Sequence, residues 1–106
     1  MIKNAALYIR VSTDDQKDLG YSLGYQEERL KQYCSSAKIN IIKIFSEDYS
    51  AKTFDRPEFN RMLEFFKKNK GKVDTLLFIN WSRFSRNIAD SYVMIDRLNK
   101  LGIEPQ

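Results

Sequence analysis

Four arginines and one serine are the residues whose type and spacing could do chemistry here. Arg10 and Ser12 leave an apolar run two residues apart. In an extended segment side chains alternate with period two, so this pair projects to one side. Arg83 and Arg86 follow another apolar run, three residues apart, a spacing that shares one face of a helix. Arg56 closes a polar stretch that also holds Asp48, Ser50, Thr53 and Asp55. The planar fork of arginine matches phosphate oxygens bidentately and keeps its charge at ordinary pH. Several arginines around one point repel one another unless an anion sits between them, and phosphate is the obvious anion. A helix start adds free N–H groups and positive dipole. In that field the Ser12 hydroxyl gives up its proton more readily and could attack phosphorus. The arginines would stabilise the charged, five-coordinate transition state. That chemistry needs no metal.

These residues need a frame, and the sequence predicts one by alternating strand and helix. Ala5 to Ile9 is a continuous apolar run, expected of a strand buried on both faces. Val11 to Tyr21 is polar and reads as a long loop. Ser22 can cap the next helix, whose buried stripe is predicted as Leu23, Gln26, Leu30, Tyr33, Cys34 and Ala37. Ile39 to Phe45 is the second strand. Ser46 to Arg56 is polar; Pro57 suits the first turn of a helix with stripe Phe59, Met62, Leu63 and Phe66, stopped near Gly71. Thr75 to Ile79 is the third strand and Asn80 to Arg86 a short connection. Asn87 or Ser85 can cap a helix whose buried face is expected at Ile88, Tyr92, Ile95, Leu98 and Leu101, with Gly102 ending it. Ile103 opens a fourth strand. The chain stops at Gln106, which indicates a piece of a longer protein. Such alternation gives an α/β fold, a mainly parallel sheet of about four strands with helices on both faces. Ligands of such sheets bind beyond the carboxyl ends of the strands, where all four arginines and Ser12 fall.

Composition removes other classes. The 106 residues hold 18 Lys and Arg against 14 Asp and Glu, a net charge of +4 that permits an anionic partner. With six Tyr, seven Phe and 42% hydrophobic residues the chain can build a core. There is no His, so Ser-His-Asp catalysis and His-ligated metal sites are out. Cys34 is the single cysteine, so no disulfide framework or Cys-rich metal site exists. No apolar stretch is long enough to span a bilayer, and no signal peptide is evident; the expected location is the cytoplasm. Taken singly, each candidate has a plainer reading. Ser12 could be a turn residue, Arg83 and Arg86 solvated helix-start residues, Asp48 and Asp55 turn residues or ion-pair partners. The lysines from Lys67 to Lys72 read as a solvated helix end that offsets the dipole. A receiver-like signalling domain would want an acidic cluster around a strand-end Asp, against which the arginines argue. Spacing and charge make a phosphate-binding α/β domain, and leave open whether it binds or catalyses.

Three blocks carry a resemblance. Tyr8-Ile9-Arg10-Val11-Ser12-Thr13-Asp14-Asp15-Gln16 resembles the opening signature of the serine recombinase (resolvase/invertase) catalytic domain. Asp48 to Phe59 resembles that family's mobile loop and following helix. Asp74 to Ile79, with Trp81-Ser82-Arg83-Phe84-Ser85-Arg86-Asn87, resembles its third strand and arginine pair. The insert Gly20-Tyr21-Ser22-Leu23, followed by Gln26, is similar to the large serine recombinases, in which a long helix and separate DNA-binding domains follow this domain.

The resemblance implies a three-layer resolvase-like fold and a definite reaction. Ser12 would attack the DNA phosphodiester, form a 5′-phosphoseryl link and release a 3′-hydroxyl; strand exchange and rejoining follow in a tetramer. The covalent link conserves the phosphodiester energy, so no nucleotide cofactor is implied. Arg10, Arg83 and Arg86 match the phosphate-binding arginines, Arg56 another active-site arginine, and Gln16 and Asp48 supporting polar positions, with Asp48 orienting an arginine. Asp74 takes a structural role. One residue departs from the pattern: Ser82 stands where the family often has Asp, which leaves the general acid and base unassigned. The implied partners are a double-stranded recombination site and, in the full-length protein, further copies of the chain as homodimer or tetramer. Two expectations accompany this: disorder from Tyr49 to Asp55 without DNA, and an exposed Arg83 whose loss spares the fold.

Overall fold

The strands are β1 (Asn4–Val11), β2 (Asn40–Asp48), β3 (Thr75–Leu77) and β4 (Glu104–Pro105); the helices are α1 (Leu23–Ala37), α2 (Pro57–Lys68), α3 (Trp81–Phe84) and α4 (Ile88–Lys100). They are seen in a computed structural model that describes residues 2–11, 22–48 and 56–106. The strands form one sheet in the order β2-β1-β3-β4, and every pairing is parallel. The α/β class, the four parallel strands and the helices on both faces are as the sequence predicts.

β1 is central, with a neighbour on each side and a layer on each face. That is why Ala5 to Arg10 are all buried and why the run is apolar without alternation. Its two faces feed two cores. Ala6 and Tyr8 join Phe45, Phe59, Met62, Phe66, Leu76 and Leu98 under α2 and α4. Ala5, Leu7 and Ile9 join Leu30, Cys34 and Leu77 under α1. β2 is an edge strand and alternates: Phe45 and Glu47 are buried while Ser46 and Asp48 are exposed. It runs three residues beyond the predicted end at Phe45 and thereby carries Glu47 inward. β3 is shorter than predicted and ends at Leu77.

Ser22 caps α1 as expected, its hydroxyl accepting from Tyr25 N–H, and Gln26, Leu30 and Cys34 are the buried stripe. Tyr33 and Ala37, placed on that stripe by spacing, are exposed, while Leu23 packs half-buried against the core under α1. α2 ends at Lys68 with Asn69 as its C-cap, before Gly71. α4 departs more. Asn87 caps it by accepting from Asp90 N–H, but its buried residues are Met94 and Leu98. Ile88 is 76% exposed and Tyr92 71%. Ile95, Leu98 and Leu101 reach the core as expected, the first and last half-buried against it, so the departure is confined to the first half of the helix, where Met94 is buried and Ile88 and Tyr92 are not. Ile103 N–H bonds Leu98 C=O and Gly102 N–H bonds Asn99 C=O, with Gly102 at φ 79°: a Schellman closure whose apolar pair is Leu98 and Ile103. β4 must leave that closure in register with β3, where Thr75 pairs with Glu104, so Leu98 turns inward and Met94, one turn earlier, goes with it.

The buried and exposed positions of α4 predict different costs. Leu98→Ala should lower unfolding stability by about 2–5 kcal/mol as a core truncation, whereas Ile88→Ala should change it by less than about 0.5 kcal/mol. Urea denaturation of both variants is the check; equal losses would mean that the first turn of α4 is packed after all.

A buried arginine cluster at the carboxyl ends of the strands

Arg10 is the last residue but one of β1 and its side chain shares the face of Ala6 and Tyr8. Its backbone has a local problem. β3 stops at Leu77, the partner of Leu7, so beyond that point β1 has lost a neighbouring strand. Gln26 of α1 replaces it: its carboxamide Oε1 accepts from Arg10 N–H at 3.2 Å and its Nε2 donates to Arg10 C=O at 2.9 Å. A buried glutamine in a helix stripe is explained by those two bonds.

The side chain of Arg10 runs to α3. Nε donates to Arg83 C=O at 3.0 Å and Nη2 to Ser82 C=O at 3.0 Å. Arg83 answers, its Nη1 donating to Arg10 C=O at 3.3 Å. Arg56 reaches the same short helix from the start of α2, its Nη2 donating to Phe84 C=O at 2.6 Å. A helix leaves its last carbonyls without intrahelical partners. Here the last three of α3 are met by side chains from β1 and from the start of α2. The chain forms α3 because Asn80 caps it: its Oδ1 accepts from Arg83 N–H at 3.2 Å and from the Ser82 hydroxyl at 2.5 Å. Phe84 holds it down, stacked on Phe78 with ring centroids 5.1 Å apart and edge-on to Phe59 at 6.1 Å.

Arg10, Arg56 and Arg83 are therefore all buried, each at most 1% exposed. This corrects the expectation of an exposed Arg83. Arg83 and Arg86 do not share a helical face either. α3 ends at Phe84, Ser85 is extended, and Arg86 lies beyond it, exposed. Asp48 ends β2 opposite Val11 and is exposed. The carboxylate inside the cluster is its neighbour Glu47, 3% exposed: Oε1 accepts from the Tyr8 hydroxyl at 3.1 Å and from Phe59 N–H at 2.9 Å, and Oε2 from Glu58 N–H at 3.1 Å. Sequence reading missed Glu47, although counting by two from Phe45 points to it. Asp74 has the expected structural place, accepting from Asn4 N–H at 3.2 Å and from the Thr75 hydroxyl at 2.6 Å. Ser12 and Gln16, and the stretch from Tyr49 to Asp55, lie outside the described residues.

Burial removes water from this cluster, and its effect is visible at Tyr8. Its phenol is held well above the usual phenol range, first because burial disfavours the phenolate; nearby Arg56 opposes the rise and Glu47 adds to it. Chemically the cluster is a set of cationic forks held in fixed orientation at the sheet edge that Ser12 follows in sequence, an arrangement suited to an anion with several oxygens. No group of three or more metal-ligating side chains occurs among the described residues, and none of their helices is long and apolar enough to cross a membrane.

Comparison with known proteins places the chain in a family. Residues 5–104 match the family described as the resolvase N-terminal domain. The chain is 34% identical over 96 residues to the transposon Tn552 DNA-invertase BinR of Staphylococcus aureus, covering 91% of this chain but 42% of that protein. It is 44% identical over 62 residues, 58% of this chain and 76% of the relative, to an uncharacterized immunity region protein of Bacillus phage phi105. The crystal structure of the N-terminal catalytic domain of TP901-1 integrase superposes with a TM-score of 0.86 at 27% identity, covering 97% of this chain and 76% of that one.

Two outcomes are expected of the cluster. Gln26→Leu keeps the volume but strands the buried N–H of Arg10 and leaves its C=O with the Arg83 bond alone, and should cost about 1–3 kcal/mol in urea unfolding. Tyr8 holds its proton more tightly folded than unfolded. Its contribution is thus complete below the ordinary phenol value of about 10 and is lost as pH rises above it. Between about pH 9 and about pH 11 the stability of the parent should fall more than that of Tyr8→Phe, and identical slopes would place the Tyr8 phenol in solvent.

Proposed function

The chain belongs to the resolvase N-terminal domain family, and from that premise we propose that it is the catalytic domain of a serine-type, site-specific DNA recombinase. The Ser12 hydroxyl oxygen attacks the scissile phosphorus and gives up its proton. The bond from phosphorus to the 3′ oxygen breaks, and that oxygen takes a proton and leaves as the 3′-hydroxyl, while the 5′-phosphate stays on Ser12. Reversal with an exchanged 3′-hydroxyl rejoins the strands. No bond energy is lost to water, so the reaction asks for no nucleotide cofactor.

One observation carries this reading: Arg10, Arg56 and Arg83 are buried together around α3, and Arg10 precedes Ser12 by two residues in the chain. Three fixed positive charges are an expensive thing to bury, and a phosphoryl transition state is what would use them. Arg86, exposed beyond α3, is proposed to meet the DNA phosphate from the solvent side, and Gln16 and Asp48 to support the site. Ser82 stands where relatives of this type often carry Asp. Its carbonyl holds Arg10, so the placing of an arginine at this position falls to a backbone group that any residue supplies. The substrate is a double-stranded recombination site. Residues 1–106 act as the N-terminal catalytic domain, with site recognition and tetramer assembly supplied by other parts of the full-length protein, so this stretch alone should not recombine DNA.

The test uses the full-length protein on its own site, nicked to trap the intermediate, followed by digestion and mass spectrometry, with Ser12→Ala as control. A 5′-phosphoryl nucleotide on Ser12 is expected. Arg86→Ala should keep its stability within about 0.5 kcal/mol and lose cleavage by on the order of 100-fold. Tight DNA binding without any adduct would instead make this a phosphate-binding module on the same scaffold.

A further inference from the structure

Resting on the reading of Arg56 as a phosphate-binding residue, we propose that Tyr8 and Glu47 are its positioning residues, a clasp that fixes its guanidinium and the first turn of α2 to β1 as one unit. The need for such a clasp is visible at the helix start. The N-cap of α2 is Arg56 itself, which makes no side-chain capping bond, since a guanidinium has no acceptor to offer first-turn N–H groups. The cap comes from another element. Glu47 of β2 accepts from Glu58 N–H with one oxygen and from Phe59 N–H with the other, and a carboxylate there also suits the helix dipole.

The same Oε1 of Glu47 accepts from the Tyr8 hydroxyl at 3.1 Å, and the Tyr8 oxygen accepts from Arg56 Nη1 at 3.1 Å. The direction of each bond is forced. A guanidinium only donates, so the phenol oxygen accepts from Arg56 and its single proton goes to Glu47. The rings add a second hold: Arg56 Cζ lies 5.9 Å from the Tyr8 centroid and 5.4 Å from that of Phe59. Tyr8 and Phe59 meet edge to face at 5.2 Å. Glu47 and Arg56 thus bracket the chain between β2 and α2, and one hydroxyl on the central strand joins the two. Phe59 supplies both an N–H to Glu47 and a ring to Arg56, so neither the helix start nor the guanidinium can shift without the other.

The test removes one oxygen atom. In Tyr8→Phe the helical circular dichroism of the chain should be unchanged. The side-chain Nη–H signals of Arg56 in nitrogen-15 NMR should be resolved in the parent and should merge in the variant as the guanidinium rotates freely. In the full-length protein, cleavage of the nicked site should lose at least about tenfold in kcat with KM unchanged. Adding Tyr8→Phe to Arg56→Lys should lower it no further. If Tyr8→Phe does not fold, Glu47→Gln, which keeps the shape and removes the charge, is read by the same signals. Arg56 Nη signals that stay resolved in the folded variant overturn the clasp, whatever the DNA does. Merged signals, with cleavage indifferent to both Tyr8→Phe and Arg56→Lys, keep the clasp and overturn the role of Arg56 at phosphate. Full loss of cleavage in Tyr8→Phe with signals still resolved also overturns it, since Tyr8 would then act by another route.

Discussion

A guanidinium taken out of water must be given acceptors, and three of them lie buried at one end of this sheet. Much of the local architecture follows from that demand. α3 is a single turn, too short to gain much from its own hydrogen bonds, yet its three last carbonyls are the acceptors that Arg10 and Arg56 need. In return the arginines satisfy carbonyls that a helix end cannot satisfy itself. Each half satisfies groups of the other. Asn80 at the start of α3 and the packing of Phe78, Phe84 and Phe59 beneath it are the means by which a four-residue helix is held where β1 and α2 can reach it.

The shortness of β3 belongs to the same arrangement. Had it run to Ile79, as its apolar composition suggests, it would have filled the edge of β1 alongside Arg10, and Gln26 and Arg83 would have had no backbone to bind. Because it ends at Leu77, the chain turns off the sheet early enough for α3 to sit over the end of β1. The bonds a longer strand would have made are taken by Gln26 from one layer and Arg83 from the other. The end of β1 is thus tied to both faces of the molecule, at the point where the chain goes on to Ser12.

The sequence made legible what depends on local pattern. The apolar run of β1, the Ser22 and Asn87 caps, Pro57 at a helix start and Gly102 at a helix end each have a physical signature within a few residues. The arginines were legible by type and by their place at strand ends. Their burial was not, because nothing near Arg83 tells that its carbonyl and those beside it will receive another segment's side chains. Glu47 was missed for a related reason: the polar composition after Phe45 hid a strand that continues, so the inward position two residues on was left in a loop. On α4 the reading was right at Ile95, Leu98 and Leu101 and wrong at Ile88 and Tyr92, because the orientation of the helix is set by a closure at Ile103 that lies outside it.

The chemical nature of the acceptors bears on what the cluster can do. A carboxylate placed directly on each guanidinium would fix its orientation and also cancel much of its charge, leaving little field for an incoming phosphate. A carbonyl or a phenol fixes orientation with a dipole and leaves the unit charge in place. In the bonds described here Arg10 and Arg56 meet the carbonyls of Ser82, Arg83 and Phe84 and the hydroxyl of Tyr8, all neutral. The carboxylate of Glu47 stands one hydroxyl further away, spending its charge on the start of α2. Interposing Tyr8 lets Glu47 help to orient Arg56 without setting its own carboxylate on the guanidinium.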